Sequence, residues 1–291
     1  MILSTSTGNI AAHHGVEGAI RLIKKAGFDA FDLSLRPLSA EGKPIAEDNY
    51  MEFAKKIKAV ADEVGIICNQ AHATFPPEKF GDEEHNKATF ERIRREMEVA
   101  AYVGAPIIVV HATKPVPKGY DVVKENLRFY GSLLPYAKEY GIKIGVENLF
   151  EYDELRERRK PCGIGTSEKL SAFMELLDPE WFTVCFDVGH AAINVENPED
   201  AIRNLKGKIG CLHIHDNDYV NDQHLVPYLG KTDWEEVCRA FAEVGYDGDF
   251  TLESCTFEGK FPAELTLDML EFEVKVAKHL MKKIENYKKG E

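Results

Sequence analysis

The segments KIGVEN at residues 143–148 and FTVCFDV at residues 182–188 share one pattern, a short apolar run that reaches an acidic side chain near its end. Continuous apolar character over so few residues is typical of a strand buried on both faces, as strands are in parallel sheets. The acidic side chains, Glu147 and Asp187, would then lie at the carboxyl ends of neighbouring strands. The pair of segments therefore predicts an α/β fold built on a parallel sheet.

Six similar runs lie elsewhere in the chain, and helical patterns separate them. The further strands are expected at 2–6, 30–35, 65–72, 106–112, 210–216 and 250–254. The helices are expected at about 16–26, 47–64, 84–103, 121–140, 167–177, 198–206, 233–244 and 262–287. Eight strands in alternation with eight helices indicate a (β/α)8 TIM barrel. A doubly wound open sheet is the alternative, but no linker divides the chain, so we predict a single domain over residues 1–291.

The composition excludes several classes of protein. The 291 residues include 36 Lys and Arg against 49 Asp and Glu, a formal net charge of −13, which disfavours a nucleic-acid partner. No apolar run approaches the ~20 residues of a membrane span, and the first residues lack the features of a signal peptide. We therefore expect a cytoplasmic protein without membrane contact. The six cysteines form no CxxC pair, and the four that lie inside apolar runs are expected to be small core residues.

Side chains of the types that bind metals follow six consecutive predicted strands. In chain order they are His72, His111, Glu147, Asp187 with His190, His213 and Glu253. A single histidine at a strand end is more often a hydrogen-bonded core residue, but six strands in a row make coincidence a weak explanation. Active sites of TIM barrels lie at this end of the strands.

The spacing of four of these residues indicates a common site. Glu147, Asp187, His213 and Glu253 are separated by 40, 26 and 40 residues, each about one βα unit. Three carboxylates in a low-dielectric barrel mouth need a cation or protons to neutralise them. These mostly hard ligands predict one divalent ion, with Mn²⁺ expected first and Mg²⁺, Co²⁺ or Zn²⁺ as alternatives.

Four local motifs resemble a known family. GVEN (145–148), FDVGH (186–190), LHIHD (212–216) and DQHLVPYLGKTDW (222–234) are similar to motifs of the xylose-isomerase-like barrel superfamily, and the resemblance covers essentially the whole chain. That superfamily contains sugar and sugar-phosphate isomerases and epimerases, and abasic-site nucleases of the endonuclease IV type. One departure is that Tyr228 and Lys231 stand where glycines are common.

The resemblance to the ketose 3-epimerase branch implies specific roles. It assigns Glu147, Asp187, His213 and Glu253 to the metal, makes Glu147 and Glu253 the acid/base catalysts, and makes His190 a substrate contact. Further substrate contacts are expected at His72, His111, Asp222 and His224, and Lys260 is a candidate to hold a phosphate group. The expected partner is a small sugar or sugar phosphate, and assembly into a homo-oligomer is left open.

The chemistry expected of these residues is proton transfer next to a carbonyl group. One glutamate would remove the proton, the metal would stabilise the ene-diolate, and the other glutamate would return a proton. Return to the opposite face gives epimerisation, and return to the neighbouring carbon gives isomerisation. Loss of a β-leaving group instead would make the protein a lyase or dehydratase acting on a keto-sugar or keto-inositol.

Two further alternatives remain. Endonuclease IV enzymes hold three zinc ions through nine ligands, and this chain has a residue of matching type at each. These residues are His72, His111, Glu147, Asp187, His190, His213, Asp222, His224 and Glu253. The sequence HIHDND at 213–218 differs from the nuclease-like pattern, so an isomerase or epimerase is preferred. A barrel kept only as a binding module is disfavoured, since it would bury unpaired charges.

The charged run EYDELRERRK at 151–160 follows the fifth predicted strand. We expect it to be a solvated surface segment, with a lid over the barrel mouth as the alternative.

Overall fold

A computed structural model, which describes residues 1–290, contains ten strands and ten α-helices. The strands are β1 (Leu3–Ser6), β2 (Ala30–Ser34), β3 (Ile67–His72), β4 (Ile107–Val109), β5 (Lys143–Glu147), β6 (Phe150–Asp153), β7 (Arg158–Pro161), β8 (Phe182–Asp187), β9 (Ile209–His213) and β10 (Phe250–Leu252). The helices are α1 (Gly8–Ala26), α2 (Tyr50–Val64), α3 (Glu83–Val103), α4 (Val122–Tyr140), α5 (Ser167–Met174), α6 (Val188–Ile193), α7 (Pro198–Asn204), α8 (Trp234–Glu243), α9 (Cys255–Glu258) and α10 (Thr266–Lys289).

Eight of the strands form one parallel sheet in the order β10-β1-β2-β3-β4-β5-β8-β9. Two hydrogen bonds link its outer strands: the Ile214 amide donates to the Thr251 carbonyl at 2.9 Å, and the Glu253 amide donates to the Ile214 carbonyl at 3.0 Å. The sheet therefore closes on itself, with helices outside, and the predicted TIM barrel is confirmed. All eight predicted strands are present.

The barrel interior is apolar at one level and polar at another. Val109, Cys185 and Cys211 form a small buried cluster. In the polar layer, Thr251 Oγ1 accepts from Ser4 Oγ at 2.7 Å and donates to Gln70 Oε1 at 3.1 Å. Because buried polar groups are costly unless they are paired, this network gives the side chains fixed positions beneath the barrel mouth.

Besides the added short helix α9, the structure differs from the expected elements in three places. The charged run at 151–160 lies within an antiparallel hairpin formed by β6 and β7, so this stretch is regular structure as well as surface. Helix α1 begins at Gly8, well before the expected start at 16, and Gly15 interrupts it with φ 67° and ψ 167°. This positive φ favours glycine and explains why the periodic pattern begins only after it. The third difference is α6, whose residues are all buried, so that it lacks an amphipathic pattern.

No helix within residues 1–290 combines the length and apolar character needed to cross a membrane. All six cysteines are unpaired, and all but Cys255 are buried, as expected of small core residues.

Two buried carboxyl groups, those of Glu258 in α9 and Glu273 in α10, affect the pH dependence of stability. None of their four oxygen atoms makes a hydrogen bond to the described part of the chain. Burial, reinforced by neighbouring carboxylates, raises the pKa of Glu258 to about 8 and the pKa of Glu273 well above its usual value. Groups whose pKa is raised on folding contribute stability at low pH that is lost as pH rises through the folded-state pKa.

We predict that Glu273→Gln increases the free energy of unfolding at pH 9 by about 1–3 kcal/mol and changes it little at pH 5. Glutamine keeps the shape of the protonated acid but cannot ionise. Guanidinium-induced unfolding at both pH values measures the effect. Glu271→Gln, at an exposed position of the same helix, is the matched control. The prediction is wrong if the free energy of unfolding changes between pH 5 and pH 9 by the same amount in Glu273→Gln as in the unaltered protein.

Candidate metal and substrate site

The side chains that the sequence singled out converge at the carboxyl end of the barrel. Glu147, Asp187 and His213 are the last residues of β5, β8 and β9, and Glu253 directly follows β10. The first three are at most 1 % exposed, whereas the Glu253 side chain is 16 % exposed. Because parallel strands end at the same edge of the barrel, spacing along the chain could predict the cluster.

His213 Nδ1 lies at the centre of the four predicted metal ligands. It is 3.2 Å from Glu147 Oε1, 3.5 Å from Glu253 Oε2 and 3.9 Å from Asp187 Oδ2. Donors bound to one divalent ion at about 2.1 Å stand roughly 3.0–3.5 Å apart. Glu147, Asp187 and His213 form one group whose donor atoms all lie within 4.8 Å of one another, and Glu253 forms further groups with His213 and with Asp187. Their mostly hard oxygen donors are of the kind that Mn²⁺ or Mg²⁺ prefers.

Buried polar groups flank two of these ligands. Asp187 is held between Asn148, whose Oδ1 accepts from the Asp187 amide at 2.7 Å, and His215, whose Nε2 is 3.1 Å from Asp187 Oδ2. On the far side of His213, Nε2 is 3.7 Å from a carboxylate oxygen of Asp32. This separation is an ion-pairing distance and is too long for a hydrogen bond, so Asp32 contributes its negative charge behind the ring.

A second group of donors adjoins the first and consists of His72, His111 and Glu147. The Nε2 atoms of the two histidines are 3.2 Å apart, and His111 Nε2 is 2.9 Å from Glu147 Oε2. Glu147 thus belongs to both groups, with one oxygen atom facing each.

A third group contains His190, His215, Asp222 and His224. His190 Nε2 is 3.5 Å from Asp222 Oδ1, and His224 Nε2 is 3.1 Å from Asp222 Oδ2. The rings of His215 and His224 stack with centroids 3.9 Å apart. The nine residues matched to endonuclease IV ligands are therefore gathered in three adjoining groups.

Burial and mutual proximity shift the pKa values in the cluster. Burial alone would raise the pKa of Glu147, but His111, His190 and His213 outweigh it and hold that pKa well below its usual value. Burial lowers the pKa of His111 to about 4. Burial also opposes protonation of His190, yet Asp187 and Asp222 raise its pKa to about 10. The cluster thus keeps Glu147 ionised, with the protonated His190 ring 3.2 Å away as a neighbouring positive charge.

A cavity of about 290 Å³ opens onto the cluster. Its wall includes His72, His111, Glu147, His190, Asp222, His224 and Glu253. Lys260, the candidate phosphate contact, is exposed and lies outside this wall.

Sequence reasoning missed three residues at the site: Asp32, Lys114 and Phe150. Asp32 supports His213, and Lys114 and Phe150 line the cavity. Burial lowers the pKa of Lys114, whose ammonium group donates to the Phe150 carbonyl. The sequence offered only their positions as a signal that they belong to the site. Asp32 lies on a predicted strand, and Lys114 follows His111 by three residues.

Tyr228, which stands where glycine is common in the family that the motifs resemble, lies in the loop after β9. Tyr228 has φ 78°, in the left-handed region that favours glycine. The carboxylate of Asp216 holds the strained backbone, accepting from the Tyr228 amide at 3.0 Å and from Trp234 Nε1 at 2.9 Å. The Tyr228 side chain is 51 % exposed and lies outside the cavity wall.

Comparisons with known proteins agree with this architecture. Residues 20–272 match the model of the family described as xylose isomerase-like TIM barrel. The chain is 26 % identical over 252 residues to fructoselysine 3-epimerase of Escherichia coli O157:H7, with 83 % of this chain and 86 % of that protein covered. Among solved structures, it resembles a D-tagatose 3-epimerase-like protein (TM-score 0.72, 24 % identity, 96 % and 99 % of the two chains covered). It also resembles 3-keto-D-glucoside 4-epimerase from E. coli (TM-score 0.70, 20 % identity, 94 % and 99 % covered).

We predict that the Mn²⁺ ion that binds most tightly is held by His213 and the three carboxylates near it, those of Glu147, Asp187 and Glu253. Asp187→Asn removes one charged donor and should weaken that binding at least ~10-fold in a calorimetric titration of chelator-treated protein. Asp222→Asn is the matched control, since it removes an equal charge from the third group and should change the affinity by less than about threefold. A larger loss in Asp222→Asn would place the tight ion elsewhere.

Proposed function

The chain belongs to the xylose isomerase-like TIM barrel family, and we propose that it is a divalent-metal-dependent sugar or sugar-phosphate isomerase or epimerase. One observation carries the proposal: the carboxylates of Glu147, Asp187 and Glu253 surround His213 Nδ1, and both glutamates reach the wall of the adjoining cavity. Sugar epimerisation in the names of the similar proteins supports the same class of reaction.

The two glutamates are the proposed acid and base. They flank His213 from β5 and from the end of β10, so a substrate carbon between them can lose a proton to one carboxyl group and regain a proton from the other. Glu253, the more exposed of the two, can exchange its proton with solvent. A bound Mn²⁺, or Mg²⁺, Co²⁺ or Zn²⁺ in its place, would supply Lewis-acid stabilisation of the negative charge that develops on the carbonyl oxygen.

The other residues of the cavity have binding roles in this proposal. The imidazoles of His72, His111 and His190 line the wall at positions from which they can hydrogen-bond to sugar hydroxyl groups. The rings of Phe75 and Phe150 provide apolar surface for the C–H faces of a sugar and exclude water from the reacting atoms.

We predict that Glu147→Gln and Glu253→Gln each lower kcat at least ~10²-fold, because each variant loses one of the two proton-transfer groups. The assay follows deuterium incorporation next to the carbonyl group by NMR, with ketoses in D₂O as substrates. Glu125→Gln is the control, a carboxylate on α4 at 20 % side-chain exposure that pairs with Arg128 and does not line the cavity. Near-normal turnover in either active-site variant would exclude the two-glutamate mechanism.

A second candidate function has a specific observation in its favour. The three adjoining donor groups give room for three zinc ions, as expected of an abasic-site nuclease of the endonuclease IV type. The net charge of −13 opposes binding to a phosphate backbone and makes this the less favoured proposal.

Metal content and an incision assay separate the two functions. We predict one firmly bound divalent ion per chain after mild purification, and no cleavage of duplex DNA that carries an abasic site. Elemental analysis by mass spectrometry gives the first quantity, and gel electrophoresis of the DNA gives the second. Three zinc ions per chain together with incision would establish the nuclease and overturn the epimerase proposal.

A further inference from the structure

A second, larger cavity adjoins the one over the metal cluster. Its volume is about 700 Å³, and it lies among the first residues of α1, the segment after β2 and the loop before α2. The two cavities share four lining residues, which are His72, Phe75, Glu253 and Cys255. A ligand whose reacting carbon lies beside Glu253 therefore faces both spaces.

The second cavity is too large to be explained by the reacting sugar alone. The first cavity, at about 290 Å³, is close to the lower limit of typical ligand sites, roughly 300 Å³, and is sufficient for a small ligand. A substrate without a further substituent would leave the second space filled by water. The geometry points to a substrate with two parts.

The two cavities differ in the balance of charged side chains along their walls. The first is lined by three carboxylates, those of Glu147, Asp222 and Glu253, together with Lys114, whereas Arg36 and Lys43 line the second. The wall of the second cavity also contains two carboxylates, those of Glu17 and of Glu253, and both cavities share Glu253. An anionic group is repelled by the carboxylates of the cluster and attracted by Arg36 and Lys43, so charge alone would orient a two-part substrate.

Arg36 is held in position by an aromatic ring that the two cavities share. Its guanidinium carbon is 4.2 Å from the centroid of the Phe75 ring, and the same ring stacks on His111 with centroids 4.4 Å apart. No carboxylate of residues 1–290 lies within ion-pairing distance of Arg36. A cation stacked on a ring and without an anionic partner can form a charge-assisted bond to a ligand.

We propose that the second cavity binds a substituent of the substrate that carries an anionic group, and that Arg36 recognises this group. The inference rests on the proposed function, because it assumes that a sugar occupies the first cavity. A carboxylate and a phosphate have the required charge and oxygen geometry in common. The substrate class is thus a sugar conjugate with a negatively charged substituent, bound across both cavities.

Binding measurements test the proposal without requiring turnover. The probes are D-fructose, its carboxymethyl and carbamoylmethyl ethers at O1 and at O6, and its 1- and 6-phosphates. The two kinds of ether have nearly the same shape and differ in charge. Calorimetric titration of the Mn²⁺-loaded protein should give a dissociation constant for the carboxymethyl ether about 10- to 100-fold lower than for the carbamoylmethyl ether at the same oxygen. The phosphates show which anion is preferred.

Two variants locate the effect. Arg36→Gln should bring the ratio of the two dissociation constants close to 1. Lys58→Gln, at an exposed position on α2 where the lysine pairs with Asp62, should retain the ratio of the unaltered protein. If both variants prefer the carboxymethyl ether to the carbamoylmethyl ether by the same factor, the protein attracts anions in general, and the proposed role of Arg36 is wrong.

The remaining outcomes separate this inference from the proposed function. If fructose and both ethers bind with similar affinity, the second cavity does not select anionic groups, and the inference fails while the sugar site remains. If the Mn²⁺-loaded protein binds none of the probes, the proposed sugar function fails, and this inference fails with it.

Discussion

The crowding of three carboxyl groups in the barrel mouth is the constraint on which the rest of the site depends. Glu147, Asp187 and Glu253 all lie within 4 Å of one imidazole nitrogen, and two of them are almost completely buried. Such a set is stable only with positive charge in its midst. The surrounding histidines supply part of that charge, and the donor geometry is suited to a divalent ion that would supply the remainder.

The barrel makes this arrangement possible because its parallel strands end at the same edge of the sheet. Each ligand comes from a different strand, so no local segment has to fold against the repulsion between neighbouring charges. The polar layer below the mouth and the carboxylate of Asp32 hold the ligands from beneath. The carboxylates are therefore brought together only by the complete tertiary structure, in which the hydrophobic core offsets their repulsion.

The elements that the sequence predicted are those with a repeated physical signal. The eight strands are short apolar runs, and residues such as Glu147 and Asp187 terminate them at regular spacing, so both the barrel and the central cluster could be anticipated. The hairpin of β6 and β7 could not, because the alternation in β6, FEYD, covers only four residues and β7, RRKP, shows none. Lys114 and Arg36 were missed for another reason. Lys114 lies in a loop and Arg36 begins a three-residue 3₁₀ helix, and in segments this irregular or short, periodicity carries no information about which side chains meet.

The pairing of the first strand with the last has a consequence for how the protein matures. Residues Leu3–Thr5 of β1 align with Phe250–Leu252 of β10, so the ring closes only after nearly the whole chain has been synthesised. The strand that completes the ring also brings Glu253 into the mouth. A chain that stops before it lacks both closure and one of the two proposed proton-transfer groups. Loss of the last βα unit, by premature termination or proteolysis, therefore removes the proposed chemistry together with the fold, and it leaves no partly assembled site able to begin a reaction that it cannot finish.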